Sequence, residues 1–488
     1  MVLFTKEFAI FCLLVISLYY SLFKGHQWVL LLAASLFFYR FFADSYFIFF
    51  SIVNIYIFSM VIDRQEDKGK RKFFLVLCLL LNFGLLFSIK YTDFLSSRYG
   101  LLIPLGISFY MFQSISYVLD VYYKRIGPER NPFKLALFIS YFPQIIQGPI
   151  GRFDRLMPEL MENKAYNPDD FRHGFLTACF GAFKKIFIAD RLALLVGTVF
   201  SNHHAYSGSF IFFSVLAYGI QIYADFSGGI DIVRGISQMM SIKMDINFRR
   251  PFFASSVQDF WRRWHISLGA WMRDYVFYPL NLSRPMAFIN NRSRKAFGSK
   301  KGKLITICIS TYILYLVVGI WHGSGWHYIL YGLWNGTIIS LSLYLESTYK
   351  KALNALKIDP KSGWFRLFQI IRTNILVTLG RYFTRSGSAT LAFSMLKASF
   401  TSFSLVGFRA NLYDMGYSNG NLLLVAFAII VLFLVDYAFE KGINLYKSFD
   451  RARGPVQFFI ILVYLMLFFY FVVFSEGYVS EEFIYRMY

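Results

Sequence analysis

Predominantly apolar stretches, each long enough to cross a hydrocarbon core about 30 Å thick, recur from residue 9 to residue 474, and no other feature restricts the fold as much. Water cannot be the solvent of such a chain. The composition agrees: 57% of the residues are hydrophobic, 20% are aromatic and the mean hydropathy is +0.48, against about 45–50% apolar in soluble domains. The expected class is all-α and polytopic, with roughly eleven transmembrane helices accompanied by re-entrant or interfacial ones.

The chain carries 50 Lys and Arg against 28 Asp and Glu, a formal charge of +22. Such basicity can mark a nucleic-acid binder, but here the cations sit in short loops between apolar runs, as the positive-inside rule requires. Nucleic acid is therefore excluded as a partner, and the lipid bilayer is the expected surrounding. The loop 64–72, RQEDKGKRK, holds five Lys and Arg and is expected in the cytoplasm. Three runs precede it, at 9–23, 28–42 and 46–62, which puts the N-terminus outside, Lys24 inside and Asp44 outside. Runs 73–88 and 101–121 carry the same frame to a second basic loop, 124–134, again inside. Cys12, Cys78, Cys179 and Cys308 stand singly in apolar segments, a pattern that fits neither a disulfide framework nor a zinc site. The first run leads directly into others without a cleavage pattern and is expected to remain as a helix.

Beyond residue 130 the pattern breaks. Residues 133–149 contain Pro143, Gln144, Gln147, Gly148 and Pro149 and are expected to be re-entrant, covered by protein, since irregular backbone at membrane depth is tolerated only there. The runs 171–200 and 209–240 are interrupted by Lys184, Lys185, Asp190 and Arg191, and by Gln221, Asp225 and Asp231, charges that need buried partners. Residues 251–278 interleave Trp261, Trp264 and Trp271 with Arg262, Arg263, His265 and Arg273, which suits a helix pair in the interface and not a spanning helix. The basic loops 284–303 and 350–361 should lie inside, with crossings at 305–320, 327–345, 365–379, 422–439 and 456–474. Lys441, Lys447, Arg451 and Arg453 precede the last run and Glu476, Glu481 and Glu482 follow it, so the tail 475–488 should be extracytoplasmic. Residues 1–474 read as one membrane domain.

Two histidines stand out, His265 in FWRRWHISL and His322 in GIWHGSGW. An ionisable ring in membrane sequence is a functional hypothesis by default, and Gly319/Gly323 and Gly332/Gly336 give the small-residue spacing that lets helices meet closely. One such imidazole can be an interhelical hydrogen bonder; two in one core point to acyl transfer, one as general base and a second group to orient a hydroxyl or steady an acyl oxygen. Arg262, Arg263 and Arg273 can hold the phosphates of a cytoplasmic donor, with Trp264 beside an adenine or pantetheine arm, or they can be an ordinary snorkelling belt. Gln221, Asp225, Asp259 and Asn335 are expected to form a structural polar core, the two aspartates paired with nearby arginines. A metal is not expected, since His203 and His204 have no visible third ligand.

Four blocks occur in order: QGPIGRF at 147–153, QIYADFSGG at 221–229, NFRRPFFASSVQDFWRRWHISLGAWMRDYVFYPL at 247–280 and GIWHGSGWHYILYGLWNG at 319–336. With them the chain resembles the membrane-bound O-acyltransferase family, in particular its bacterial alginate O-acetyltransferase-like branch. The resemblance implies a ring of helices around a central funnel, with the family's essential histidine at His322 and its second active-site histidine at His265. It implies transfer of an acyl group, usually acetyl, from a cytoplasmic thioester such as acetyl coenzyme A, or one on a carrier protein. The group crosses a bacterial cytoplasmic membrane and a cell-surface polysaccharide is O-acylated. No bound cofactor is implied. Phe483-Ile484-Tyr485 resembles a terminal motif whose tyrosine carries the acyl group to an extracytoplasmic partner protein. Gly229, where many relatives have tyrosine, and Asn281-Leu282-Ser283, where a glycine pair is usual, depart from the pattern and leave the acceptor open. The alternatives are D-alanyl transfer to teichoic acid from a carrier protein and, in another class, a flippase of lipid-linked sugars.

Overall fold

The computed structural model describes residues 2–43, 47–90 and 106–473, and among them every regular element is a helix. Contacts divide the chain into two compact units. Among the described residues, one comprises those up to Ala182 together with Gly229–Asn247; the other comprises Phe183–Gly228 together with 248–473.

The first unit begins with the helices Lys6–Tyr20, Gln27–Phe38, Phe47–Arg64, Lys68–Lys90 and Ile107–Tyr122. Polar groups inside it are matched to one another: Asn82 Nδ2 donates to Asn54 Oδ1 at 2.6 Å and to the Cys78 carbonyl at 2.8 Å. The broken stretch after residue 130 forms two short helices, Pro132–Ser140 and Phe142–Gln147, separated by an extended Tyr141 and with Pro143 in the first turn of the second. Every residue from 137 to 152 is buried. Its exposed carbonyls and amides are served by glutamines, because Gln113 Nε2 donates to the Phe138 carbonyl, Gln113 Oε1 accepts from Gly151 N at 3.3 Å, and Gln144 donates to Gln113. Protein cover thus replaces the water that irregular backbone otherwise requires.

The second unit holds a helix that runs as Asp190–Ser201 after a wide π turn, Lys184–Ala189, and the part of Gly208–Met239 up to Gly228. An aromatic hairpin follows, Val257–Arg263 and Ile266–Met272. Then come Arg284–His322, Trp326–Ala355, Gly363–Arg385, Ala389–Thr401, Asn419–Glu440 and Gly454–Val473.

Three basic stretches expected to be loops are mostly helical. Lys68–Lys90 starts inside 64–72, where Asp67 accepts from Lys70 N at 2.7 Å. Residues 284–303 belong to Arg284–His322, capped by Ser283 with a proline in the first turn and broken at Gly298, which has φ 80° and ψ 162°. Trp326–Ala355 runs through the start of 350–361. Lys and Arg are good helix formers whose long stems reach water from a helix as well as from a loop. Ala389–Thr401 and Phe408–Asp414 occupy a region that no apolar run announced.

Five described helices are long and apolar enough to cross a membrane: Phe47–Arg64, Lys68–Ile89, Gly208–Met239, Arg284–His322 and Asn419–Glu440. The other expected crossings are shorter, less apolar or more charged, so length and apolarity alone do not reach the expected number. The tail with Tyr485 lies outside the described residues.

Candidate active site

His322 is the last residue of Arg284–His322, placed where that helix turns into Trp326–Ala355. The two helices press together on glycine. A β-carbon on Gly319 would lie 2.4 Å from the Tyr328 carbonyl oxygen, and one on Gly332 would lie 2.4 Å from that of Tyr315. Both positions tolerate hydrogen only and make a backbone-to-backbone crossing, while the second glycine of each spacing faces a ring, Gly323 that of Tyr328 and Gly336 that of Tyr312. Pinned by that crossing, the His322 ring is 8% exposed. Its centroid is 4.7 Å from Trp321, 5.6 Å from Tyr331 and 6.1 Å from Tyr328.

His265 sits at the reversal of the aromatic hairpin. Ser256 starts the first arm by accepting from Asp259 N at 3.0 Å, and the chain turns back at His265 with φ 45° and ψ 54°. A non-glycine residue in this left-handed region carries strain that the surroundings must hold, a feature that clusters at functional sites. The hold is visible. Phe226 meets the His265 ring edge-on at 4.8 Å, and Trp321 lies at 6.3 Å, so one tryptophan neighbours both histidines. His265 is 2% exposed and lies outside the five long apolar helices. Burial, with the neighbouring His322 as a smaller cause, pushes its imidazole down to about 3, so the ring is neutral and offers one donor and one acceptor.

Of the polar core expected from sequence, Asn335 ties hairpin to helix, its Oδ1 accepting from Trp261 Nε1 at 3.1 Å while its Nδ2 donates to the Tyr331 carbonyl at 2.9 Å. Asp259 pairs with Arg263 at 3.1 Å as expected. Where an arginine was expected, Asp225 is held by Lys185 at 2.7 Å, which also reaches Asp190 at 2.7 Å, all three side chains being 1% exposed. The wide turn 184–189 presents two successive lysines inward, and Lys184 Nζ donates to Ser227 Oγ at 2.9 Å. Gln221 is buried on the same helix as Asp225.

The donor-binding candidates separate into two kinds. Arg263 is held by Asp259 and by Glu440 at 2.9 Å, and Glu440 also takes Arg250 at 3.0 Å and Arg366 at 3.3 Å. Trp264 is buried, stacked on Phe260 at 5.5 Å and edge-on to Phe248 at 5.0 Å. Arg262 and Arg273 are exposed, Arg273 beside Asp274 at 2.9 Å. Sequence reasoning did not find Glu440, Tyr331 or Arg381; Glu440 ends a helix far along the chain, and nothing local in sequence points from it to the hairpin. No group of three potential metal ligands occurs among the described residues.

The helical fold, the buried histidine pair and the four sequence blocks converge with comparison to known proteins. A profile described as MBOAT, membrane-bound O-acyltransferase family, matches residues 126–379, just over half of the chain. The chain belongs to the membrane-bound O-acyltransferase family. It is 33% identical over 358 residues to a probable alginate O-acetylase AlgI of Pseudomonas syringae pv. tomato, covering 72% of this chain and 62% of the relative. With a peptidoglycan O-acetyltransferase of Helicobacter pylori it shares 31% identity over 70% of this chain and 68% of the relative. With a teichoic acid D-alanyltransferase of Bacillus subtilis the identity is 28%, over 57% and 67%. The match spans a little under two thirds of the length of several alginate O-acetylase relatives, 62 to 66%.

Proposed function

We propose that the protein is a membrane O-acyltransferase, one catalytic membrane domain followed by a tail, that moves an acyl group, most simply acetyl, from a cytoplasmic thioester across the bacterial cytoplasmic membrane. The final acceptor is a cell-surface polysaccharide, reached through an extracytoplasmic partner protein. The observation that carries this reading is His322, an imidazole fixed by a glycine-lined helix crossing and walled by aromatic rings beside a second, neutral imidazole. The relatives named for O-acetylation of alginate and peptidoglycan support acetyl transfer onto a glycan.

In the proposed step a hydroxyl oxygen attacks the thioester carbonyl carbon while His322 takes the hydroxyl proton. The carbon–sulfur bond then breaks, and His322 returns the proton to the departing thiolate, so that ester and thiol are the products. His265 orients the thioester or the hydroxyl through its neutral ring, and the hydroxyl in our reading is that of Tyr485. Acetyl coenzyme A enters past Arg262 and Trp264. Held exclusion of water between the two rings keeps the thioester from hydrolysis.

The test is His322→Ala in cells and in purified protein. Surface O-acylation and thiol release from acetyl coenzyme A should both vanish while the protein remains folded in detergent; persistent acylation sinks the mechanism. Tyr485→Phe should stop onward transfer, and an unchanged product removes the tail from the pathway. D-alanyl transfer is favoured by a specific observation, the likeness to teichoic acid D-alanyltransferases at 27–28% identity, and mass analysis of surface glycans with and without the protein separates the two acyl groups.

A further inference from the structure

Arg381 is a buried cation that the fold has not neutralised. It lies near the end of Gly363–Arg385, is 6% exposed, and pairs with no carboxylate among the described residues. Its Nη1 donates to Thr378 Oγ1 at 3.2 Å, the guanidinium sits 5.5 Å over the Phe252 ring, and its buried Nη2 has no hydrogen-bond partner. Room for it comes from a glycine: a β-carbon on Gly219 would lie 1.8 Å from Nη1. Tyr218 and Tyr331 are its electrostatic neighbours, and Tyr331 is the ring that packs edge-on to His322. A buried charge without a counter-ion is costly, whereas hydrocarbon of similar volume in its place is often neutral or stabilising. A stability role therefore does not account for an arginine here, and a planar fork with an unfilled donor matches an oxyanion.

We propose that Arg381 is an oxyanion subsite of the acyl-transfer centre, holding a carboxylate or phosphate carried by one of the two reactants. The inference rests on His322 as the reacting base. Two sources supply that chemistry: the phosphates of the donor, and a carboxylate on the acyl acceptor.

The experiment uses the purified full chain in detergent with acetyl coenzyme A, reading thiol release, acylated protein by mass, and thermal midpoint. Arg381→Met should stay folded and lose at least tenfold in kcat/KM, and Arg381→Lys should recover part of that loss. A loss confined to the KM for acetyl coenzyme A, reduced when the 3′-dephospho donor is used, assigns the donor. Unchanged donor KM with lost acylation assigns the acceptor. Should Arg381→Met not fold, sodium pyrophosphate and glutarate are tested as competitors of the wild type, and inhibition by neither overturns the proposal. Arg381→Met with wild-type KM and turnover overturns it as well. Activity surviving His322→Ala overturns the parent mechanism instead, whatever Arg381 does.

Discussion

The two histidines are held by opposite devices. His322 closes the C-terminal end of a long helix and is fixed from outside, by a glycine crossing that sets the backbones and by rings that wall the imidazole. His265 caps the N-terminal end of a seven-residue helix and is fixed through its own backbone, bent into a left-handed turn and pressed by Phe226. Helix ends carry partial charge, negative at the C-terminus and positive at the N-terminus, worth about 0.3–1 kcal/mol to a nearby ion. A proton gathered by His322 during attack thus meets the favourable end of its helix. His265 meets the unfavourable end, weak in so short a helix, and is in any case kept neutral by burial. The difference supports the proposed division, in which His322 moves the proton and His265 positions a reactant through a hydrogen bond.

The strongest way to break that division is His322→Gln against His265→Asn. Removing a general base costs about 10²–10⁴-fold, so His322→Gln should fall to the background of thiol release at an unchanged thermal midpoint. Asparagine tolerates the left-handed region and keeps a donor and an acceptor, so His265→Asn should cost less, roughly tenfold to a hundredfold, with KM rising as kcat falls. Equal losses in the two variants, with no KM component at His265, would erase the distinction.

Stability probes sharpen the comparison from below. Lys185→Met removes the cation that touches both Asp190 and Asp225, and breaking a buried ion pair from one side costs about 3–5 kcal/mol. Because Asp225 precedes Phe226, the ring that presses His265, this variant should lower the thermal midpoint strongly and disturb His265 before His322. A double variant, Lys185→Met with Asp225→Leu, should recover part of the midpoint; no recovery would mean that the lysine acts through something other than its charge.

How much of this was legible in sequence follows from range. Apolar runs are local, so the helices and their class could be read ahead, and so could the break at Pro143. The glycine spacings 319/323 and 332/336 pointed to a close helix approach because each is a pattern within a few residues of sequence. Partners were not legible. Asp225 sits 40 residues from Lys185 and Glu440 sits 177 from Arg263, and a charge in an apolar run says that a partner exists without saying which. Arginines next to the hairpin read naturally as donor contacts, yet Arg263 proved to be clamped by carboxylates while Arg381, in an undistinguished RYFTR stretch, is buried and paired with no carboxylate among the described residues.

The smallest expected effect tests whether His322 depends on the crossing or only on its aromatic wall. Gly319→Ala puts a methyl 2.4 Å from the Tyr328 carbonyl oxygen, and overpacking of that kind costs about 1–3 kcal/mol. Backbone cannot yield as a side chain can, so the two helices must part, and His322, three residues on, moves with them. Activity should therefore fall further than the modest drop in midpoint implies. Gly197→Ala is the control: it lies in the middle of Asp190–Ser201, a β-carbon there meets nothing within 4 Å, and helix propensity predicts a gain of about 0.5–1 kcal/mol with activity untouched. If Gly319→Ala behaves like that control, the crossing does not position the base, and the rings around His322 alone must do so.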